Sequence, residues 1–130
     1  MAMTTSRPAL SEAQLEIMQI VWQHSEVTVS DVWSVIAARR PVARNTVLTV
    51  MDRLQKRGWL SKRSVGNTQL YKSTASEAST LGDVVRRLVD TTFGGSADAL
   101  VMALLEGRGV SQDEARRIRK RIDEASGKSR

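Results

Sequence analysis

Apolar residues recur at helical spacing over the first forty residues and predict two helices there. The first runs from about Ser11 to His24, since a Ser-x-x-Gln capping box precedes an apolar stripe of Leu15, Met18, Val21 and Trp22. The second helix is capped at its start by Thr28 or Ser30. It ends at Arg40, because the proline that follows disfavours a helical conformation in the residue before it.

The stretch at 45–60, NTVLTVMDRLQKRGWL, predicts a third helix with two distinct sides. One side carries the apolar residues Val47, Val50, Met51 and Leu54. The opposite side carries the polar residues Asn45, Thr49, Asp52 and Lys56. Gly58 ends the helix, since glycine readily takes the left-handed conformation that follows a helix C-terminus.

Beyond Gly58 the periodicity changes and indicates a β hairpin. Strand-like runs at 59–65 and 69–73 flank Gly66-Asn67-Thr68, which is a tight-turn signal. Between the first two helices, residues 26–28 suffice only for a turn or a single bridge of strand. Two helices, a third helix and a hairpin in this order are the layout of a winged helix-turn-helix.

The rest of the chain predicts three amphipathic helices, capped by Ser76, Ser96 and Ser111. Their apolar faces are too extensive to bury within one chain, so we expect a second copy to cover them. The residues expected at this homodimer contact are Leu100, Val101, Leu104, Leu105, Ile118 and Ile122. The predicted fold is thus mainly α with a small β hairpin: a winged-helix DNA-binding domain at 1–75 and a three-helix dimerisation region at 76–130.

Composition narrows the class of partner. The net charge is +6, and nine Lys or Arg residues between Arg39 and Lys72 face a single acid, Asp52. Such a local excess of positive charge favours a polyanion, for which nucleic acid is the common choice, although a merely solvated basic surface has the same composition. There is no cysteine, and no apolar run reaches the roughly 18 residues of a membrane span. We therefore expect a cytoplasmic protein with a flexible leader at 1–10 and no direct membrane contact.

The polar side of the third helix is the expected reading surface, because the second helix of a helix-turn-helix enters the major groove with its N-terminal residues near base edges. Base reading is assigned to Arg44, Asn45, Thr46 and Thr49, whose short or forked side chains suit base edges. Phosphate or wing contacts are assigned to Arg53, Lys56, Arg57, Lys62, Arg63 and Asn67.

Several of these polar and aromatic residues have a purely structural interpretation as well. Asn45 lies where a helix cap belongs. Asp52 either pairs with Lys56 four residues on or accepts a hydrogen bond from a cytosine amino group. The three tryptophans are expected in the core or at its margin, and His24 at a helix end on the surface. With one such histidine and no glycine-rich phosphate loop, we predict no catalysis, no cofactor and no metal site.

These motifs resemble those of the penicillinase-repressor family, which includes the methicillin-resistance and copper-transport repressors. The resemblance covers about Leu10 to Glu124 and rests on LSEA at 10–13, IVW at 20–22, NTVLTVMDRL at 45–54, KRG at 56–58, Tyr71 and SQDE at 111–114. Its most specific part is the string of Thr46, Thr49, Arg53 and Leu54. The resemblance implies a winged-helix homodimer, joined through its C-terminal helices, that binds double-stranded DNA at a palindromic operator and represses transcription.

The chain departs from the family pattern at two places that concern induction. Antibiotic-responsive members are cleaved by a regulatory protease at an Asn-Phe bond in the C-terminal helices, where this chain has Ala103-Leu104. Copper-sensing members carry a cysteine pair that this chain lacks. The operator sequence, the regulated genes and the inducing signal are therefore open. Two other hypotheses are a winged-helix interaction or architectural module without a specific operator, and a winged-helix sensor of a small molecule.

Overall fold

The computed structural model of the protein describes residues 8–128. Its elements are, in chain order, α1 (Glu12–Trp22), α2 (Val29–Ala37), α3 (Arg44–Lys56), β1 (Leu60–Val65), β2 (Thr68–Ser73), α4 (Glu77–Thr92), α5 (Ala97–Gly107) and α6 (Gln112–Lys128). The predicted class, mainly α with a small hairpin, is confirmed. The chain divides into two compact units after Val84, which lies within α4. The domain limits at 75 and 76 stay a prediction.

Reciprocal caps fix the starts of α1 and α2. The Ser11 hydroxyl accepts from the Gln14 amide at 3.2 Å, while the Ser11 amide donates to the Gln14 side chain at 2.9 Å. Thr28 and Asp31 exchange the same pair of bonds at 3.0 and 2.9 Å, so Thr28 is the cap of α2 and Ser30 is not. Each exchange satisfies two backbone amides that would otherwise lack partners.

Helix α2 is three residues shorter at its end than predicted, because it closes at Ala37 rather than at Arg40. The amides of Arg39 and Arg40 both donate to the Ile36 carbonyl, at 2.8 and 3.1 Å. This sharing tightens the chain into a turn before Pro41, so the proline limits the helix without marking its last residue.

Helix α3 ends in a Schellman motif. Gly58 has φ +89°, its amide donates to the Gln55 carbonyl at 3.1 Å, and the Trp59 amide donates to the Leu54 carbonyl at 2.9 Å. These two bonds satisfy carbonyls at the end of the helix and turn the chain directly into β1. The predicted role of Gly58 is confirmed.

A single β bridge pairs the hairpin with the segment between α1 and α2. Strands β1 and β2 pair antiparallel from Leu60 opposite Ser73 to Val65 opposite Thr68, around a two-residue turn that begins at Gly66 with φ +61°. Val27 and Tyr71 exchange backbone bonds at 2.9 and 2.8 Å, which is the bridge expected at 26–28.

The core of the first unit lies between α1, α2, α3 and the base of the hairpin. Its fully buried side chains include Met18, Ile36, Met51, Leu54, Leu60 and Tyr71. Trp59 is part of this core, whereas Trp22 and Trp33 lie at its margin. Their indole N–H groups all donate: Trp22 to Ser73 and Ala75, Trp33 to the Val42 carbonyl, and Trp59 to the Pro8 carbonyl. Residues 8–10, expected to belong to a flexible leader, instead contact this unit, since Pro8 accepts a bond from Trp59 and Leu10 packs on the core. Residues 1–7 lie outside the described part.

The second unit contains the end of α4 together with α5 and α6. Ser96 and Ser111 cap α5 and α6 as predicted, accepting from the amides of Ala99 and Glu114 at 3.0 and 3.1 Å. Large apolar side chains on these helices are exposed, among them Val85, Leu88, Val101, Met102, Leu104, Leu105, Ile118 and Ile122. Within residues 8–128 no single helix is long and apolar enough to cross a membrane; α4 and α5 reach that length and composition only as a pair bent by 94°.

Candidate nucleic-acid interface

Helix α3 buries one side and exposes the other. Val47, Met51 and Leu54 are at most 2% exposed and attach the helix to the core. The four residues assigned to base reading, Arg44, Asn45, Thr46 and Thr49, are all exposed near its N-terminus. The structure thus brings these four together on one accessible surface.

Two hydrogen bonds constrain the side chains of this surface. Nε of Arg44 donates to the Ser30 hydroxyl at 2.9 Å and so restrains the orientation of the guanidinium group. Both terminal NH₂ groups are left to donate to other acceptors. Thr49 donates its hydroxyl to the Asn45 carbonyl at 3.0 Å. Toward a ligand, Thr49 therefore presents oxygen lone pairs and a methyl group.

The interpretation of Asn45 as a helix cap is wrong. The cap of α3 is Ala43, which has no side chain that could accept from the first amides, and Asn45 already lies in the first helical turn. The exposed Asn45 side chain is therefore not committed to capping. Both its amide donors and its carbonyl acceptor can serve an intermolecular contact.

Asp52 pairs with Lys56, with 3.0 Å between the carboxylate and Nζ, so the structural interpretation of Asp52 is confirmed. The pair is exposed, with 72% of the Lys56 side chain accessible, and such pairs contribute only a few tenths of a kcal/mol. Burial raises the pKa of the Tyr71 hydroxyl, and the charge of Asp52 raises it further. The negative charge of Asp52 thus acts on Tyr71 in the core as well as on Lys56 at the surface.

Two carboxylates outside the basic segment neutralise part of its charge. Glu16 accepts from Arg39 at 3.1 Å and from Arg40 at 2.7 Å. Glu26 holds Arg63 in a two-pronged pair at 2.7 and 2.8 Å. Sequence reasoning missed both carboxylates, because no local signal joins them to arginines so far along the chain.

Five of the nine cations have no carboxylate at ion-pair distance within residues 8–128: Arg44, Arg53, Arg57, Lys62 and Lys72. Lys72 was not among the predicted contacts, although its place on a wing strand was visible in the alternation of the sequence. All five are exposed, and they lie on α3 and the hairpin. Asn67 is exposed in the turn between β1 and β2, where a wing contact requires it.

Comparison with known proteins identifies the family. The family model described as penicillinase repressor matches residues 10–124, which is most of the chain. The chain belongs to the penicillinase repressor family. The resemblance inferred from the motifs is therefore confirmed, over the same span of residues.

Individual known proteins resemble the chain in sequence or in fold. The penicillinase repressor of Bacillus licheniformis is 23% identical over an alignment that covers 90% of this chain and 91% of that protein. The methicillin resistance regulatory protein MecI of Mammaliicoccus sciuri is 24% identical over 85% of this chain and 89% of that protein. The solution structure of the DNA-binding domain of the repressor BlaI matches with a TM-score of 0.52 and 27% identity, covering 58% of this chain and 92% of that one. The oxidised form of MarR from E. coli matches in fold, with a TM-score of 0.51 and 16% identity, covering 89% of this chain and 75% of that one.

Ala103-Leu104, the pair at which the chain departs from the family pattern, lies in α5. Ala103 and Leu104 occupy the middle of that helix, and both are exposed. Phe93 and Gly109 lie outside α5, on its N-terminal and C-terminal sides. The bond between Ala103 and Leu104 is therefore helical, rather than part of an extended loop.

Proposed function

We propose that this protein is a sequence-specific DNA-binding repressor of transcription that binds a palindromic operator as a homodimer. The observation that carries the proposal is the exposed polar N-terminal half of α3, anchored by a buried apolar side, in a member of the penicillinase repressor family. The function is one of binding, without a catalytic step. Its partner is double-stranded DNA in the cytoplasm, with no direct membrane contact.

In this proposal α3 lies in the major groove and divides its contacts by position. Arg44, Asn45, Thr46 and Thr49 read base edges from the first turn and a half of the helix. The bond to Ser30 supports base reading by Arg44. With Nε bound to Ser30, the two terminal NH₂ groups are available as donors to the two acceptors of a guanine. The methyl group of Thr49 suits the methyl group of a thymine.

Phosphate contacts are proposed for cations beyond the first turns of α3 and on the hairpin. Arg53 and Arg57 are exposed and lack a carboxylate partner among the described residues, as does Lys62 on β1. Lys56 is proposed as a weaker contact, because a phosphate that engages it leaves Asp52 unpaired beside the DNA. Asn67 at the hairpin tip suits the adjacent backbone or minor groove.

Homodimerisation is proposed through the apolar side chains of the C-terminal helices. Val101, Leu104 and Leu105 on α5 and Ile118 and Ile122 on α6 are between 37% and 57% exposed, and Leu100 is half-buried beside them. Soluble proteins seldom leave so many large apolar side chains exposed on adjacent helices. A second copy removes this surface from water and holds two α3 helices for the two halves of a palindrome.

Release from DNA then follows from anything that weakens the dimer. Proteolysis between Phe93 and Gly109 would separate α6 and part of the apolar surface from the DNA-binding unit. A regulatory protease is one agent proposed for this, acting at or near Ala103-Leu104. A protein that competes for the same apolar surface is another.

The proposal is tested by competition binding to the DNA upstream of the protein's own gene. The wild-type protein should prefer one short palindrome over random DNA by about 10³-fold or more, and should bind a single half-site far more weakly. Thr46→Ala and Thr49→Ala should reduce that preference. Thr91→Ala is the matched control for Thr49, since Thr91 in α4 is exposed and donates to the carbonyl four residues before it in the same way.

The competing hypothesis of an architectural module predicts a different outcome in the same assay. Such a protein binds through phosphates, so random competitor DNA should displace it from the palindrome as readily as the palindrome itself does. Unchanged preference in Thr46→Ala and Thr49→Ala, with loss of all binding in Lys62→Ala, would contradict the assignment of base reading to α3.

A further inference from the structure

The side chain of Glu26 connects two segments that are not neighbours in the sheet. Val27 bridges Tyr71 of β2, which places residues 26–28 along one edge of β2, whereas β1 pairs with its other edge. The Glu26 carboxylate nevertheless reaches Arg63 in β1. The pair therefore crosses β2 and joins the two outer segments over the solvent face of the hairpin.

The geometry of the pair uses the full fork of the arginine. Nε of Arg63 donates to Oε2 of Glu26 at 2.7 Å, and Nη2 donates to Oε1 at 2.8 Å. Two parallel bonds define an orientation as well as a distance, which a single lysine bond does not. The bonds from Arg63 lower the pKa of Glu26, and Lys72 lowers it further, so the carboxylate is ionised at neutral pH.

The outer half of the hairpin has little else to hold it. Burial at the base comes from Leu60 and Tyr71, whereas every residue from Lys62 to Gln69 is exposed. A two-stranded hairpin is marginally stable when it does not pack against another element. The bond between Glu26 and Arg63 lies where that packing ends, so it restrains the direction in which the tip projects.

We propose that Arg63 is a wing-positioning residue, held by Glu26, and that it does not contact a DNA phosphate. This inference rests on the proposed function and changes one assignment within it. A phosphate that takes Arg63 away would leave the carboxylate of Glu26 unpaired and facing another anion. The pair instead fixes the hairpin so that Lys62 and Asn67 meet the DNA.

Glu26→Gln separates this proposal from a purely electrostatic account. Removal of a negative charge near DNA would strengthen binding if charge alone mattered. If the pair positions the wing, Glu26→Gln and Arg63→Gln should each weaken operator binding, by about two- to fivefold, and the double variant should be no weaker than either single variant.

Two further readouts distinguish positioning from phosphate contact. Arg63→Lys keeps the charge but loses the fork, so it should bind as weakly as Arg63→Gln. The slope of binding against salt should be unchanged in Arg63→Gln, whereas the matched Lys62→Gln should reduce it by about 0.9 for each phosphate that the protein no longer neutralises. Tighter binding by Glu26→Gln, or wild-type binding by Arg63→Lys with a reduced slope in Arg63→Gln, would overturn the proposal.

A measurement without DNA keeps this inference separate from the proposed function. Amide hydrogen exchange in the free protein should be faster at 62–70 in both Glu26→Gln and Arg63→Gln, and not in Lys62→Gln. Unchanged exchange in Glu26→Gln would overturn the positioning role, whatever the DNA assays show. Failure of the proposed function would appear in the wild-type protein alone, as binding without preference for a palindrome.

Discussion

The salt dependence of operator binding should follow the number of cations that the protein has not neutralised itself. The segment from Arg39 to Lys72 holds nine cations, but Arg39, Arg40, Lys56 and Arg63 have carboxylates between 2.7 and 3.1 Å away. Arg39 and Arg40 share one carboxylate, Glu16, so three carboxylates offset three of the nine charges. Six positive charges per protomer, or twelve per dimer, are left for DNA. Each phosphate neutralised contributes about −0.9 to the slope of log K against log salt, so the slope for the full operator should be no steeper than about −11.

Fluorescence anisotropy with labelled operator DNA measures this slope over a roughly fourfold range of KCl concentration, from about 50 to 200 mM. A matched pair of variants tests the reasoning directly. Arg57→Gln removes an exposed cation without a carboxylate partner and should make the dimer slope shallower by about 1.8, for two contacts. Arg63→Gln removes a cation that has a carboxylate of its own, Glu26, and should leave the slope unchanged.

The value expected if pairing did not matter is clearly different. Eighteen cations in a dimer would give a slope of about −16. A wild-type slope steeper than about −11, or equal losses in Arg57→Gln and Arg63→Gln, would refute the view that internal ion pairs withhold such arginines from DNA.

Two predictions concern stability. Gly58→Ala should lower the free energy of unfolding by about 1–2 kcal/mol, because φ is +89° there and no atom lies within 4 Å to add a steric clash. Gly82→Ala inside α4 should instead raise the free energy of unfolding by about 0.5–1 kcal/mol. Urea unfolding measures both changes, and a change of the same sign in both variants would contradict the argument. The bond from Arg40 is the main cause that lowers the pKa of Glu16 below 4.5. The stabilisation from this ion pair is therefore present above pH 4.5 and is lost as the pH falls through the lower pKa of the folded state. The unfolding temperature should decline more steeply below pH 4.5 in the wild type than in Glu16→Gln, and parallel curves would contradict this prediction.

The fold was predictable where its determinants are local. The capping box at Ser11, the left-handed position at Gly58 and the turn at Gly66 each act within a few residues, and each appears in the structure as expected. The end of α2 was not predictable to the residue, because the shared Ile36 carbonyl decides it and not the proline. The alternative role of Asn45 as a cap failed because α3 begins at Arg44, which puts its cap two residues earlier, at Ala43.

The charge of the candidate site was less predictable, because its counter-charges are distant in sequence. Glu16 lies 23 and 24 residues before the arginines it binds, and Glu26 lies 37 residues before Arg63. A window along the chain counts the cations and misses these acids. The acids and the arginines meet only because α1 packs beside α2 and residues 26–28 lie beside the hairpin.

Asp52 shows how pairing and reading can share one residue. Its pair with Lys56 is exposed and contributes only a few tenths of a kcal/mol, so it opposes the exchange of Lys56 for another partner only weakly. A cytosine amino group in reach could therefore displace Lys56, and the released lysine could then serve a phosphate. Without such a base, Asp52 keeps Lys56 and presents a neutral pair. On this hypothesis the gain from Lys56 would depend on the base opposite Asp52, and a phosphate contact would be coupled to sequence.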